Sequence, residues 1–480
     1  MAAEVIIVGS GPNGLSAAIA LAESGVDVLV IEGASKIGGG TRTDEITLPG
    51  FRHDLCSAVH PMGVLSPYWK GLALEAHGLE WVHPRYSVAH PLDDGRAMVL
   101  AESIDETCER LGADGPAWRR MVTPFLGGDS DALLADLLAP LGVPRRPITM
   151  ARFGMKGVLP AKTLARMQFD EPGARALFAG LAGHSILPLS APLSGAVGLV
   201  FAVTGHLTSW PVARGGSSAI AEALASKLRA AGGRIECDRW IRSLDDLPED
   251  STIIFDTSPG PMVDICGEAL PASYRSAIDR YEYGPGTFKV DFALSERIPW
   301  TASECHEAST VHVGGTLAEI AFAEREPWRG RHAPNPYLIV CQQSNFDSSR
   351  APDGQHTGYA YCHVPNGSDQ DMTDAIIAQI ERFAPGFRET ILAKKTWSPA
   401  DFEAHNPNYV GGAITGGAAN WSQLFTRPVP RLNPYSTPNP RIFIGSASSP
   451  PGGGVHGMCG WYAAQSVLKK LGKRRKRLAA

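Results

Sequence analysis

The stretch Glu4-Val-Ile-Ile-Val8, followed by Gly9-Ser-Gly-Pro-Asn-Gly14, decides the fold of this chain. The first part is an apolar, β-branched run of the kind found in buried parallel strands. Residues 15–24 then form an Ala-rich pattern typical of a helix, and residues 26–31 are a second apolar strand that ends at Glu32. This order predicts a βαβ unit, so the sequence indicates an α/β protein with a doubly wound parallel sheet.

The glycines of this unit are spaced as a dinucleotide requires. Gly9 permits a tight turn, Gly11 lets the backbone approach a pyrophosphate, and Gly14 allows close packing of helix on strand. The helix N-terminus offers free N–H groups to phosphates, and an acid about 20 residues on can accept hydrogen bonds from ribose hydroxyls. A turn that is merely rich in glycine is the less favoured interpretation in this context. The predicted contacts are Gly9, Gly11, Pro12, Asn13, Gly14 and Glu32.

A second glycine-rich turn, Gly38-Gly-Gly-Thr-Arg-Thr43, favours FAD over NAD. NAD domains have no need of this element, whereas in FAD proteins Arg42 can bind a phosphate and the glycines let the cofactor pass. The sequence has no second strand-GxGxxG-helix unit, so we expect electrons to leave a flavin for oxygen, a quinone or another acceptor. The cofactor contacts predicted here are Gly39, Gly40, Thr41 and Arg42.

The C-terminal part supplies a second strand-loop-helix. A strand at residues 441–444 leads into Gly445-Ser-Ala, then into Pro450-Pro-Gly-Gly-Gly-Val-His-Gly457 and a helix at residues 458–471. The positive end of that helix would stabilise negative charge on a reduced flavin near N1 and C2=O. A structural glycine-rich turn is the alternative. The predicted contacts are Gly445, Ser446, Gly454, Val455 and His456.

Composition excludes several functional classes. The 480 residues are 44% hydrophobic and 19% charged, as in soluble globular proteins, and the formal charge of −5 gives no attraction for nucleic acid. The eight cysteines are scattered, so we expect reduced thiols in a cytoplasmic compartment. The longest apolar stretch, at residues 196–203, is too short to span a bilayer. No metal is expected, because four histidines lack both metal-ligand spacing and a clustered carboxylate partner: His312, His356, His363 and His405.

Taken together, the N-terminal and C-terminal motifs show that the chain resembles the phytoene desaturase-like branch of the flavin amine-oxidase superfamily. Within this branch, it is most similar to the phytoene dehydrogenase-related proteins akin to pyridine nucleotide-disulphide oxidoreductase domain-containing protein two. The glycine motifs are shared by many flavoproteins, whereas other strings are specific to this branch. These strings include Leu48-Pro-Gly-Phe-Arg-His-Asp54, Tyr283-Gly-Pro-Gly-Thr-Phe-Lys-Val-Asp291, Asn406-Pro-Asn-Tyr-Val-Gly-Gly412, Leu432-Asn-Pro-Tyr-Ser-Thr-Pro438 and Pro451-Gly-Gly-Gly-Val-His-Gly-Met-Cys-Gly460.

The resemblance implies a Rossmann-type FAD-binding domain with an interleaved α+β substrate domain. We place the FAD domain at residues 1–70, 208–270 and 431–480, and the substrate domain at residues 71–207 and 271–430. Residues 72–207 are expected to be mainly helical, with a second sheet within residues 270–430. Ile241 takes the place of a valine whose backbone meets the adenine in such proteins, and Ser446 stands where many relatives have an acid. The implied reaction moves a hydride from a C–H bond of an apolar small molecule to flavin N5.

Catalytic candidates follow the glycine turns. His53, Asp54, Ser57 and His60 cluster where this fold brings the chain near the flavin ring, and either a catalytic or a structural role is open to them. His456 lies within the loop that would face the flavin. We therefore name His456 and His60 as catalytic candidates.

Other features leave alternatives open. Cys459 invites a covalent flavin thioether, but a cysteine packed as a small hydrophobe is favoured, so FAD is expected to bind non-covalently. The basic tail at residues 473–480 is either solvated or in peripheral contact with anionic lipid at the cytoplasmic face of a membrane. A homo-oligomer also stays open. An amine oxidase with the same fold and a non-catalytic flavin-binding protein are the alternative functions.

Overall fold

The computed structural model describes the backbone of residues 3–478 and the side chains of residues 3–472. Its strands, in chain order, are β1 (Val5–Val8), β2 (Val28–Ile31), β3 (Thr43–Glu45), β4 (Arg52–Asp54), β5 (Trp81–Val82), β6 (Tyr86–Pro91), β7 (Ala97–Ala101), β8 (Val212–Ala213), β9 (Arg234–Glu236), β10 (Thr252–Phe255), β11 (Gly286–Leu294), β12 (Ala308–Val313), β13 (Leu338–Cys341), β14 (His356–Val364), β15 (Ile391–Trp397) and β16 (Ile442–Ile444).

The helices lie between these strands and after the last strand. They are α1 (Pro12–Ala22), α2 (Pro61–Val64), α3 (Ile104–Arg110), α4 (Gly115–Val122), α5 (Ser130–Leu137), α6 (Pro147–Gly157), α7 (Ala161–Gln168), α8 (Pro172–Gly183), α9 (Ser194–Leu207), α10 (Ser218–Ala230), α11 (Pro259–Cys266), α12 (Ala272–Ile278), α13 (Leu317–Ala323), α14 (Thr373–Glu381), α15 (Pro399–His405) and α16 (Met458–Leu478). None of the described helices combines the length and the apolar composition needed to cross a bilayer.

The first sheet carries the predicted βαβ unit. Within the described residues it has five parallel strands in the order β16-β10-β1-β2-β9. Val5 pairs with Thr252 on one side and with Val28 on the other, so the strand that precedes the first glycine turn is central. Because helices cover both faces, every residue of β1, β2, β10 and β16 is buried.

Alternate residues of this sheet face two different hydrophobic layers. Ile7 and Val30 pack with helices α1, α10 and α16 on one face. Ile6 and Ile31 pack with α11 and α12 on the other face. This three-layer arrangement confirms the predicted doubly wound α/β fold.

The second sheet is mixed and lies in the other half of the molecule. In the described chain its order is β15-β11-β14-β13-β12-β6-β7, and β12 with β6 is the parallel pair. One face packs on α14 through a core that includes Phe288, Val340 and Ile376. Helices α4 and α6–α9 lie over the opposite side around a separate core that includes Trp118 and Phe178. The expectation of an interleaved α+β unit is therefore confirmed.

The expectation that residues 72–207 are mainly helical was wrong for one part. Strands β6 and β7 fall within these residues and join the second sheet. All residues of β7 are buried, and a short apolar run cannot be told from a helix by periodicity. In β6 the buried polar residues Ser87 and His90 hide the alternation of a strand. The exact domain boundaries stay a prediction.

Helices α1 and α16 pack so closely that their N-termini lie side by side. A Cβ atom at Gly460, in the first turn of α16, would overlap the carbonyl oxygen of Asn13 in α1. Only glycine permits this approach, because a backbone oxygen cannot move aside as a flexible side chain does. The two glycine-rich segments, which are more than 400 residues apart in sequence, are thereby brought together.

We expect Gly460→Ala to destabilise the protein by about 1–3 kcal/mol, the usual range for overpacking, because the two helices must separate. Gly472→Ala is the matched control, since a Cβ there meets nothing within 4 Å. In the same helix it should gain up to about 1 kcal/mol from helix propensity. Urea unfolding of both variants measures the difference, and equal stability of the two would contradict the packing argument.

Candidate functional site

The first glycine turn has the geometry that the sequence predicts. Gly9 has a φ of +103°, and Gly11 is the N-cap of α1, with no side chain capping the helix. The first N–H groups of a helix have no partner within it, so they are available to an anion. Asn13 adds a buried side-chain oxygen without a hydrogen-bond partner in the described structure. A free helix end and an unsatisfied polar atom fit a polar ligand such as a dinucleotide.

The side chain of Asp256, the residue directly after β10, contacts this glycine turn. It was not identified from the sequence as part of the site. Its Oδ2 accepts a hydrogen bond from the N–H of Gly14 at 2.8 Å, and a Cβ at Gly11 would lie 2.6 Å from the same oxygen. Burial raises the pKa of Asp256 well above its usual value, although the Gly14 amide opposes this, and nearby Glu32 raises it further. The protonated form therefore dominates to higher pH than for an ordinary aspartate.

Glu32 and Arg42 bind each other rather than projecting separately toward a ligand. Arg42 Nη2 lies 3.2 Å from Glu32 Oε1 and donates to the carbonyl of Lys36 at 2.7 Å. Glu32 also accepts from the N–H groups of Ser10 at 3.0 Å and Ala34 at 2.9 Å. The pair ties the first glycine turn to the second. Contacts of Glu32 with ribose and of Arg42 with phosphate stay predictions.

The second glycine turn lies directly against the first. A Cβ at Gly39 would be 3.1 Å from the Cα of Gly11, and one at Gly40 would be 2.6 Å from the hydroxyl of Tyr409. Thr41 is buried and donates its hydroxyl hydrogen to the carbonyl of Gly38 at 2.8 Å. The two turns form a cradle that side chains at Gly39 or Gly40 would narrow, which fits the predicted passage of a cofactor.

Trp240 and Ile241 lie at the adenine end of the predicted site, where contact of the Ile241 backbone with adenine stays a prediction. Ile241 is buried in the core beneath the first sheet. Trp240, one residue earlier, is 54% exposed, and a Cβ at Gly33 would lie 2.6 Å from its ring. The indole therefore covers the backbone next to Glu32 and presents an aromatic face beside the predicted ribose contact.

The C-terminal glycine segment is strained and close to α1. Gly454 has a φ of +137° and Val455 a φ of +54°, which a β-branched residue rarely adopts. Gly445 is packed closely, since a Cβ there would be 2.8 Å from Ala463. Ser446 is buried and its Oγ accepts from the N–H of Ser448 at 3.3 Å, so it has a local role within the loop.

His456 borders a large cavity and has one fixed tautomer. Its Nδ1 accepts from the N–H of Met458 at 3.1 Å, so a neutral ring carries its proton on Nε2, which is buried without a partner in the described structure. Burial lowers the pKa of His456 to about 4, which keeps the ring neutral at neutral pH. His456 therefore offers an N–H donor at the cavity.

His60 lies behind the cavity wall, whereas a catalytic residue was predicted at this position. Its neighbours Ser57 and Pro61 line the cavity, whereas His60 does not. The Nε2 of His60 is 3.0 Å from Ser57 Oγ, its ring packs on Trp81, and burial lowers its pKa to about 4. His60 therefore reaches the cavity wall only through its contact with Ser57, and a catalytic role for it stays a prediction.

His53 and Asp54 belong to a buried ion network rather than to the cavity wall. Asp54 binds Arg350 at 2.9 Å, and Lys289 binds Asp291 at 2.7 Å and donates to the Asp54 carbonyl at 2.8 Å. Burial alone would raise the pKa of Asp54, but the Arg350 guanidinium and neighbouring donors lower it overall. Burial and Lys289 together lower the pKa of His53 to about 3. The network fixes Lys289, which lines the cavity.

The cavity has a volume of about 2140 Å³. This exceeds the roughly 300–1,000 Å³ of a typical small-molecule site, so it has room for a cofactor ring and a substrate. One wall is the exposed side of the second sheet, where alternate residues of each strand share a face. Lining residues on this wall are Thr287, Lys289, Thr310, Ile339, Cys341, Tyr359, Tyr361 and His363. Facing them are Met150, Phe153, His184, Val197, Val200 and Phe201.

His363 has the carboxylate partner that the sequence interpretation denied it. Its Nδ1 donates to Glu324 Oε2 at 2.8 Å, and both side chains are 2% exposed. A neutral ring then has its lone pair on Nε2, which has no partner in the described residues. Glu324 follows α13, 39 residues before His363, so local sequence gave no signal for the pair. The described residues show no group of three metal-ligating side chains.

Cys459 is packed away from the cavity wall. Its thiol donates toward the carbonyl oxygens of Gly452 at 3.2 Å and Ser449 at 3.4 Å. Burial raises the pKa of the Cys459 thiol to about 12, so the thiolate needed for a covalent bond is scarce at neutral pH.

Comparisons with known proteins agree with this geometry. Residues 7–73 match the family described as NAD(P)-binding Rossmann-like domain. Pyridine nucleotide-disulfide oxidoreductase domain-containing protein 2 of Mus musculus is 25% identical, over 98% of this chain and 94% of that protein. A limonene dehydrogenase chain of Castellaniella defragrans is 22% identical, over 98% of this chain and 95% of that protein.

Solved structures share the fold. An oxidoreductase from Methanosarcina mazei superposes with a TM-score of 0.65 at 15% identity, covering 97% of this chain and 99% of that one. A putrescine oxidase bound to putrescine gives a TM-score of 0.60 at 18% identity, covering 98% and 99%. The comparisons confirm the Rossmann-type fold and the resemblance to pyridine nucleotide-disulfide oxidoreductase domain proteins.

Asp256 predicts a pH dependence of stability. Its pKa is raised in the folded state, so its contribution is fully present below about pH 4, near the ordinary aspartate pKa, and is lost as pH rises toward the folded pKa. Asp256→Asn removes the ionisation and keeps an oxygen acceptor for Gly14. The free energy of unfolding of the Asp256→Asn variant should therefore rise relative to that of the unmodified protein as pH rises from about 4 toward the folded pKa of Asp256. The expected slope is up to about 1.4 kcal/mol per pH unit. Urea unfolding at several pH values measures this difference, and a difference that does not change with pH would refute the prediction.

Proposed function

We propose that this chain is an FAD-dependent dehydrogenase or desaturase, similar to phytoene dehydrogenases, that removes a hydride from a C–H bond of an apolar small molecule. The observation that supports the proposal is the cavity bordered by His456 and by the largely apolar, aromatic face of the second sheet. FAD, when bound, supplies the hydride acceptor at its N5. The protein has to bind, orient and remove a proton.

Both glycine turns and the C-terminal glycine segment are the residues that would hold FAD. Gly11 and Asn13 offer the free end of α1 to the phosphates, and Gly39 keeps the neighbouring turn open. Non-covalent binding is the form we propose, because the Cys459 thiol already donates to two carbonyls. Oxygen or a quinone is the proposed electron acceptor.

His456 and the start of α16 are proposed to stabilise negative charge at the cofactor ring. The imidazole holds its proton on Nε2, and the helix begins two residues later at Met458. An N–H donor and a positive helix end at one place favour an anion more than a neutral group.

His363 is proposed as the proton acceptor. Loss of a hydride from one carbon leaves a double bond only when the neighbouring carbon also loses a proton. The Nε2 lone pair of His363 can take that proton, and Glu324 stabilises the resulting imidazolium at Nδ1. Among the cavity-lining histidines of the described structure, His363 is the one with a carboxylate on its other ring nitrogen.

Two predicted associations remain proposals. The basic tail at residues 473–480, proposed for peripheral contact with anionic lipid, has its side chains outside the described residues. Assembly as a homo-oligomer is the second of these proposals.

The first test is the visible spectrum of the purified protein, followed by acid precipitation. Released yellow FAD is expected, whereas a colourless protein that cannot be reconstituted with FAD would overturn the proposal. The flavin-loaded protein is then mixed under anaerobic conditions with a panel of apolar alkenes, alcohols and fatty carboxylates and a matched panel of amines. Bleaching by the apolar panel is expected. Bleaching by amines alone would establish the amine oxidase alternative, and no bleaching by any compound would favour a non-catalytic flavoprotein.

The second test concerns the proton acceptor. His363→Gln should slow anaerobic flavin reduction by about 10²–10⁴-fold, the usual contribution of a general base. FAD content and Tm should change little. His356→Gln is the matched control on the same strand, because His356 does not line the cavity. An unchanged rate in His363→Gln, or a rate loss that follows loss of FAD, would exclude this role.

A further inference from the structure

We infer that Arg427 is an anion-binding subsite of the cavity, and that the substrate is an apolar molecule carrying a carboxylate or a similar anionic group. This inference rests on the proposed function, since it names the substrate class of the same cavity.

Arg427 is a buried cation without an anionic partner. It lines the cavity and is 3% exposed, and its guanidinium makes one hydrogen bond in the described structure, from Nη2 to the carbonyl of Ala418 at 3.2 Å. Its Nε is buried and has no partner there. A guanidinium stays charged at any physiological pH, and a buried charge without a counterion is costly. The remaining donors therefore suit an anion that enters the cavity.

Two other buried arginines of the described structure each bind a carboxylate, unlike Arg427. Arg350 is fully buried and binds Asp54 at 2.9 Å and Asp347 at 3.0 Å. Arg42 is buried and binds Glu32 at 3.2 Å. Both are structural cations neutralised within the chain. Arg427 differs from them in lining the cavity and in lacking such a carboxylate.

The charged lining of the cavity is mostly positive. Two of its cations are neutralised, since Lys289 pairs with Asp291 and Arg145 pairs with Asp136, each at 2.7 Å. Asp136 is thereby already engaged. A protonated amine would find no unpaired carboxylate on this described lining, whereas an anion is attracted. The charged lining residues are Asp136, Arg145, Lys289, Arg427, Arg431, Lys469 and Lys470.

The position of Arg427 suits the head group of an amphiphile. A Cβ at Gly452 would be 3.0 Å from Arg427 Nη1, so the guanidinium lies beside the glycine segment that leads to His456. Phe425 and Leu432 also line the cavity and are 43% and 109% exposed, so the cavity reaches solvent near Arg427. An anionic group can bind here while an apolar body covers the aromatic wall of the second sheet.

The experiment compares decanoate with decan-1-ol, which have the same apolar body, by titration calorimetry of the FAD-loaded protein. We expect decanoate to bind at least about tenfold more tightly, from one or two charge-assisted hydrogen bonds. Arg427→Met should abolish this preference, and Arg427→Lys should keep part of it. Arg431→Met is the matched control: it removes an exposed lining cation and should change the preference less than about twofold.

Two results would overturn the inference. One is an unchanged preference for decanoate in Arg427→Met. The other is that Arg427→Met loses FAD or changes the flavin spectrum while it still prefers decanoate to decan-1-ol. That result would show that Arg427 binds the cofactor and not the substrate. If Arg427→Met does not fold, a crystal of the unmodified protein soaked with decanoate decides: a carboxylate bound elsewhere refutes the inference. Calorimetry needs no turnover, so failure here is distinct from failure to reduce the flavin.

Discussion

The contact between α1 and α16 is the constraint on which the rest of the site depends. The carbonyl of Asn13 occupies the space that any side chain at Gly460 would need. This contact brings two helix N-termini to one place, and two partial positive charges together favour an anion more than either does alone. The contact also fixes the start of α16, and therefore His456 beside it, relative to the first glycine turn. A loop alone could not hold the strained backbone at Val455 in this position.

The sequence predicted those features of the fold that local patterns encode. Strand β1 was predicted to within one residue of its observed ends, and the glycine turn after it was placed correctly because strand, glycine spacing and helix are contiguous. Partners distant in sequence gave no such signal. Asp256 meets Gly14 across 242 residues, and Arg42 meets Glu32 through a turn whose path depends on three-dimensional packing. Glycine spacing therefore predicted where the turns lie, whereas the pairing of distant residues depends on the three-dimensional packing of the chain.

Two cavity histidines show how hydrogen bonding separates the roles of chemically identical side chains. His456 accepts a backbone N–H at Nδ1 and so presents a donor, whereas His363 donates from Nδ1 to Glu324 and so presents a lone pair. The two have opposite capacities because of what lies behind each ring. Sequence reasoning selected His456 from its loop and passed over His363, because its carboxylate partner, Glu324, follows α13 and lies 39 residues away in sequence.

Orientation of a substrate in such a cavity requires a polar contact. Apolar burial along Tyr359, Tyr361 and the facing helices gives affinity, but it has no direction, so a hydrocarbon could slide along the sheet face. One buried charge removes that freedom, since a guanidinium binds an anionic group at a fixed place and angle. Arg427 and His363 both line this cavity. If they have the proposed roles, the separation between an anionic head group and the reacting bond would select which substrate bond is oxidised.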